Sequence, residues 1–258
     1  MNFRRDASQP EKLDFILAGA QKAGTTALHY FLEKHPNIAL SDDQELHFFD
    51  NENRFAQTVD YAELHRHFRV THRTRVSGEC TPTYTYWKPA LERIWNYNRE
   101  IKLIILLRNP AERAFSHWNM QRERGFDPLD FLPALQAEPQ RLAEAAPLQS
   151  RRFSYLDRGF YSEQLERVNR FFPKQQVLVL KYETFRDEQQ KSLATVLEFL
   201  GVPPLRSVRF KERNKIAYER RMTRKEADYL AEIYRSEIEK IEQLLGWDCS
   251  DWRSSAGR

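Results

Sequence analysis

The chain has 258 residues, 41 % of them hydrophobic and 30 % charged, with a formal net charge of +4. That is an ordinary globular composition, and the length favours one large α/β domain over two small ones. A charge so close to neutral excludes a bulk nucleic-acid binder. Two distant cysteines, Cys80 and Cys249, exclude a disulfide framework. No apolar run suits a membrane span or a signal peptide, so cytoplasmic residence is the expectation.

Residues 1–12 are polar and read as loose. The apolar run Phe15 to Ala18 reads as a first strand. It enters a turn bounded by Gly19 and Gly24, and a helix follows from Thr25 to Lys34, stopping before Pro36. That strand–loop–helix order lets backbone N–H groups and a helix N-terminus hold a phosphate. Gly19 and Gly24 have the spacing of a nucleotide-triphosphatase loop, but Thr25 stands where that loop carries its lysine. The lysine, Lys22, lies inside the loop instead. The loop can cradle a phosphate, and its cation is held differently.

Next come a short strand or loop, Asn37 to Leu40, and the polar segment Ser41 to Asp50. Residues 51–75 read as a polar excursion with a helix over Tyr61 to Phe68. They end in a run, His65 to Arg75, with four arginines, three histidines and no acid. Val76 to Pro82 reads as a short strand running into a loop. Ile101 to Leu107 is the strongest strand, apolar enough to be buried on both faces, and a helix follows from Ala111 to Arg124. The four prolines in residues 125–158 mark an insertion that reads as mobile or substrate-facing.

A helix from Tyr161 to Phe172, a strand from Gln176 to Leu180 and a helix from Glu188 to Leu200 complete the alternation. Between Arg206 and Lys225 lie nine cations and two acids. The two basic runs suit polyanionic ligands or are solvated faces. The last helix opens on a capping pair, Thr223 and Glu226, and closes at Gly246. Its stripe from Ala227 through Leu230, Tyr234, Ile238 and Ile241 to Leu245 reads as core. Alternating strands and helices predict a three-layer α/β fold, a central parallel sheet flanked by helices, as one domain.

Ligands of such sheets bind beyond the carboxyl ends of the strands. A magnesium-dependent nucleotide triphosphatase places an acid at the end of a second strand. Here the strongest strand ends in Arg108, whose planar fork suits a phosphate, and Ser116 lies two helical turns on. Two anion grips and no metal ligand match a nucleotide with both a 5′ and a 3′ phosphate.

These residues resemble the sulfotransferases that use 3′-phosphoadenosine 5′-phosphosulfate (PAPS). Gln21-Lys22-Ala23-Gly24-Thr25-Thr26-Ala27-Leu28 resembles the family's 5′-phosphosulfate loop. The stretch Leu106 to His117 resembles its 3′-phosphate motif, and Glu45 to Asp50 the base-bearing segment of the heparan-type branch. Arg158 to Tyr161, Val177 to Glu183 and Leu244 to Asp248 also fit. The resemblance implies a P-loop-like fold and roles for named residues. Lys22 contacts the bridging oxygen and the 5′ phosphate. The amides of Ala23, Gly24, Thr25, Thr26 and Ala27 cradle that phosphate, with the two threonine hydroxyls. Arg108 and Ser116 take the 3′ phosphate, Tyr161 lies near the nucleotide, and Arg213 in the basic segment closes over it. Glu45 is the general base, with His47 its partner or alternative.

PAPS is then co-substrate, PAP the product, and no metal is expected. If the segment is extended, Glu45 and His47 point the same way. Against a catalytic role, His47 reads as a core histidine beside Phe48 and Phe49. Glu79 is a second candidate acid or a loop residue paired with an arginine. Heparan-type enzymes often carry a lysine where this chain has Cys80, which argues against a glycosaminoglycan acceptor. The acceptor offers a hydroxyl on a small molecule, glycan, lipid or carrier-bound chain, and nucleic acid is not expected as a partner. Rivals are a P-loop-type small-molecule kinase and a non-catalytic nucleotide or polyanion binder. A zinc site from His65, His67 and His72 has neither a cysteine nor a nearby acid in its favour.

Overall fold

The computed structural model describes residues 8–205, 218 and 220–253. Arg213 and most of the basic segment around it lie outside the described residues.

Five strands make one sheet: β1 (Phe15–Gly19), β2 (Ile38–Leu40), β3 (Val76–Cys80), β4 (Lys102–Leu107) and β5 (Val177–Lys181). Their order is β2-β3-β1-β4-β5, and every pairing is parallel. Parallel neighbours need crossovers, and the helices supply them. The chain leaves β1 toward β2 on one side and β4 toward β5 on the other. Adjacent strands whose connections diverge open a crevice at their carboxyl ends. The turn after Gly19 and the turn after Leu107 face each other across it.

The helices in order are α1 (Thr25–Glu33), α2 (Glu52–Phe55), α3 (Ala62–His65), α4 (Ala90–Tyr97), α5 (Pro110–Glu123) and α6 (Phe131–Ala145). After them come α7 (Tyr161–Phe171), α8 (Tyr182–Asp187), α9 (Gln189–Leu200), α10 (Arg224–Leu245) and α11 (Ser250–Arg253). Among the described residues no helix is long and apolar enough to cross a membrane. Local chemistry sets several boundaries. Asn109 caps α5, its side chain accepting from Ala111 and Glu112 N–H at 2.9 and 3.3 Å, and Pro110 needs no donor at the first position. The Thr223–Glu226 capping box forms as predicted, and Gly246 ends α10 in the left-handed conformation. Leu230, Tyr234, Ile238 and Ile241 of α10 are buried, as the stripe requires.

Three expectations need correction. Residues 125–158, read as mobile or substrate-facing, hold an ordered helix packed on the core. Phe131, Ala134 and Leu135 of α6 are buried, and Phe131 meets Phe115 and Trp118 at ring distances of 5.0 and 5.3 Å. Pro133 falls in the first turn, where no N–H is needed, and Pro139 is accommodated inside the helix. The excursion at 51–75 holds two one-turn helices, not one helix over Tyr61 to Phe68. The described end of the polar N-terminal segment is pinned, because Ser8 and Val70 exchange backbone hydrogen bonds of 3.1 and 2.8 Å.

Candidate functional site

The loop after β1 is shaped by backbone conformations that few residues adopt. Ala20 N–H donates to Leu106 O at 2.7 Å, which ties the loop to β4. Lys22 and Gly24 both have positive φ, 69° and 90°. A Cβ at Gly24 would sit 2.6 Å from the Tyr182 ring, so glycine is required by strain and by space. Thr25 then opens α1, whose first N–H groups have no carbonyl behind them and suit an anion. Two of the predicted cradle amides are corrected. Ala23 N–H already donates to Ala20 O, and Ala27 N–H to Gly24 O, each at 3.0 Å. The amides of Gly24, Thr25 and Thr26 remain as candidate donors.

One cavity of about 410 Å³ collects the rest. Lys22, Thr25, Thr26, Glu45, Arg108 and Ser116 all border it, with Tyr182 and Tyr218. Arg108 leaves β4 with its guanidinium 4.9 Å from the Tyr182 ring centre and donates to Lys22 O at 3.3 Å. Glu112 accepts from Arg108 Nη2 at 2.9 Å. Burial lowers the Lys22 pKa, and the neighbouring charges of Arg108 and Arg124 lower it further, against a smaller pull from Glu45. Three cations gather here against Glu45 and Glu112, and the arrangement suits a bound anion.

Arg124 was missed by sequence reasoning. Ser116, Met120 and Arg124 follow one another at intervals of four along α5 and its C-cap, and all three border the cavity. That spacing, continued from Ser116, was the available signal. Tyr161 is corrected in the other direction. Its side chain is fully buried and does not border the cavity, and its hydroxyl donates to Arg108 O at 2.9 Å. It holds the backbone of a cavity residue from behind.

The segment bearing Glu45 is not extended. Glu45 and His47 have φ of 57° and 49°, so the two-residue alternation of a strand does not apply. The two side chains meet nonetheless, with His47 Nε2 3.5 Å from Glu45 Oε2. On its other side His47 Nδ1 lies 2.9 Å from Asp50 Oδ2. Asp50 is fully buried, and the same oxygen accepts from Thr83 Oγ1 at 2.8 Å and Arg151 Nη1 at 2.9 Å. Hydrogen bonds to Asp50 first, then to Glu45, push the His47 pKa up to about 9. At neutral pH His47 is therefore a cation that donates from both ring nitrogens. It is half-exposed, not a core histidine.

Glu79 sits in β3, not in a loop, and among the described residues no arginine pairs with it. It is fully buried, accepts from Thr81 Oγ1 at 2.7 Å, and its pKa is pushed up to about 7, chiefly by burial. Cys80 is buried at the end of the same strand, and its carbonyl accepts from Glu45 N–H at 3.1 Å. Two of the three histidines raised as a zinc set are engaged separately, and His67 does have acids beside it. His65 bonds the Tyr97 hydroxyl at 2.8 Å, while His67 approaches Asp42 and Asp43 on the surface.

With this geometry in hand, comparison with known proteins is direct. Residues 12–235 match the sulfotransferase domain family. Mouse (Mus musculus) heparan sulfate glucosamine 3-O-sulfotransferase 5 is 29 % identical over 192 residues, 73 % of this chain and 53 % of the relative. The chain thus spans about half the length of that curated relative. The crystal structure of a sulfotransferase from Alicyclobacillus acidocaldarius superposes with a TM-score of 0.80 at 24 % identity, covering 95 % of this chain and 100 % of the other. Mouse sulfotransferase SULT7A1 complexed with PAP gives 0.50 at 18 % identity, covering 91 % and 68 %. Those two likenesses establish the fold, a central parallel sheet of the P-loop-like kind, and the match over residues 12–235 goes further: this chain belongs to the sulfotransferase domain family.

Proposed function

We propose that the protein transfers a sulfuryl group from PAPS to an acceptor hydroxyl, with Glu45 as general base. The observation that carries this reading is the single cavity in which Glu45 faces Lys22, Arg108 and Arg124. The donor fits the residues present. The start of α1 and Lys22 suit the 5′-phosphosulfate, and Arg108 with Ser116, across the crevice, suits the 3′ phosphate. PAP in the structure of a fold relative supports the same nucleotide.

In the transfer, the acceptor oxygen forms a bond to sulfur as the bond from sulfur to the 5′-phosphate oxygen breaks. Glu45 takes the acceptor proton. Lys22 meets the charge that builds on the departing phosphate, and its own partial desolvation makes that contact stronger. His47 is not the base in this reading, because it is already protonated at neutral pH; its Nε2, 3.5 Å from Glu45 Oε2, orients the Glu45 carboxylate. Lys22, Arg108 and Arg124 neutralise the phosphates without a metal, so turnover should survive chelation of divalent ions. The mouse relative's name specifies heparan sulfate glucosamine as its acceptor. A sugar hydroxyl therefore comes first among acceptors to try.

The deciding experiment measures PAPS consumption across acceptor classes with wild type and Glu45→Gln, alongside PAP binding by calorimetry. Wild type should consume PAPS, and the variant should bind PAP as wild type does while turning over at least about 100-fold more slowly. A wild type that does not bind PAP, or a variant with full rate, overturns the assignment.

A further inference from the structure

The loop that carries the base hangs from one buried carboxylate. From Glu45 to Asp50 the chain makes no strand or helix, and two of its residues hold left-handed conformations. Such a backbone persists only where its surroundings fix it. Three of its N–H groups are satisfied by side-chain hydroxyls. His47 N–H donates to Thr81 Oγ1 at 3.3 Å, while Phe48 and Phe49 N–H both donate to the Tyr84 hydroxyl, at 3.0 and 3.3 Å. Each hydroxyl has one hydrogen of its own to place. Thr81 donates it to Glu79 Oε2 at 2.7 Å. The Tyr84 hydroxyl interacts electrostatically with the same carboxylate, although Oε1 has no partner at hydrogen-bonding distance. Glu79, Thr81 and Tyr84 are all fully buried.

We propose that Glu79 is a positioning residue for the sulfuryl transfer: by accepting from Thr81, whose hydroxyl oxygen takes His47 N–H, it fixes the backbone of the loop that presents Glu45 and His47, while touching neither donor nor acceptor. A carboxyl oxygen is suited to this task because it accepts from the Thr81 hydroxyl, whose own oxygen then accepts from His47 N–H. A glutamine can turn its NH₂ toward the Thr81 oxygen, which already accepts from His47 N–H. The burial argues the same way. A carboxylate in the core with no cation paired to it costs stability, and an apolar residue in β3 would avoid that cost. That residue would leave the Thr81 hydroxyl without the acceptor it has here. Glu79 does not border the donor cavity, so holding the base loop and holding the nucleotide are separable. The kinetic half of the test rests on the sulfuryl-transfer reading; the backbone half does not.

The test uses the full chain with Glu79→Gln. Hydrogen exchange of the His47, Phe48 and Phe49 amides reports the loop directly, and kcat, the KM for PAPS and PAP affinity report its consequences. Losing one hydrogen bond to a charged group corresponds to at least about ten-fold. The expected result is faster exchange at those three amides and a fall in kcat, each by about that factor, with KM and PAP affinity within about two-fold of wild type. Tyr84→Phe, which removes the hydroxyl that holds Phe48 and Phe49 N–H, should act in the same direction. Wild-type exchange and kcat in Glu79→Gln overturn the proposal. A parallel loss of kcat and PAP affinity also overturns it, since that signals general loosening of the fold. Should wild type fail to consume PAPS, the sulfuryl-transfer reading falls alone, and exchange still decides whether Glu79 holds the loop.

Discussion

The two sides of the cavity, proposed to hold the donor and the base, are built in different ways. The donor side is backbone first: a turn with two left-handed residues, the open end of α1, and cations that leave the ends of two central strands. The base side is side chain first. Glu45 is held by His47, His47 by Asp50, and Asp50 by Thr83 and Arg151, which come from three separate stretches of chain. A backbone-built grip survives many substitutions that leave its glycine alone. A chain of side-chain contacts fails at any link.

The sharpest way to break this contrast is to separate the two sides by mutation. Glu45→Gln should cost about 1000-fold in turnover, within the range for a general base, with PAP affinity intact. Arg108→Ala should weaken PAP by about 100-fold, the loss of charge-assisted bonds to a phosphate, and calorimetry reads it directly. If Arg108→Ala leaves PAP affinity at wild type, the two-phosphate reading of the donor side fails.

Gly24→Ala tests the backbone claim. With φ at 90° and a ring 2.6 Å from the added carbon, it should destabilise the fold by about 1–3 kcal/mol and weaken PAP, seen as a lower Tm and a calorimetric shift.

The base side should instead show itself in pH. The His47 pKa is raised, so the stabilisation that its contacts give is complete below about 6.5 and is lost as pH rises through about 9. Turnover should fall across that upper range as the His47 cation is lost. Asp50→Asn removes the larger cause of the shift, so the fall should move to lower pH. An unchanged profile would detach His47 from the base. The smallest effect is expected far from both sides: Thr223→Ala should cost about 1 kcal/mol in thermal stability, from the lost cap of α10, with turnover unchanged.

The same contrast explains what could be read in the sequence. The phosphate loop, β4, Arg108, Ser116 and the Thr223 capping box are local patterns, and each lies where the pattern puts it. Glu45 and His47 were identified through a resemblance, and the extended backbone expected for them is absent, because tethers to Thr81, Tyr84 and Cys80 set their conformation. Asp50 and Arg151 are 101 positions apart, and no spacing in the chain signals that they meet. The helix α6 was hidden by prolines whose cost depends on where in a helix they fall. Tyr161 was expected near the nucleotide; it is buried outside the cavity, and its hydroxyl braces the Arg108 backbone instead.

The diverging crossovers at β1 and β4 have an evolutionary consequence. The loop and arginine proposed to grip the nucleotide spring from the two strands at the heart of the sheet, while the neighbours of the Glu45 segment arrive from peripheral segments. On that reading, a different acceptor would ask for the exchange of outlying pieces of chain around an unaltered cradle.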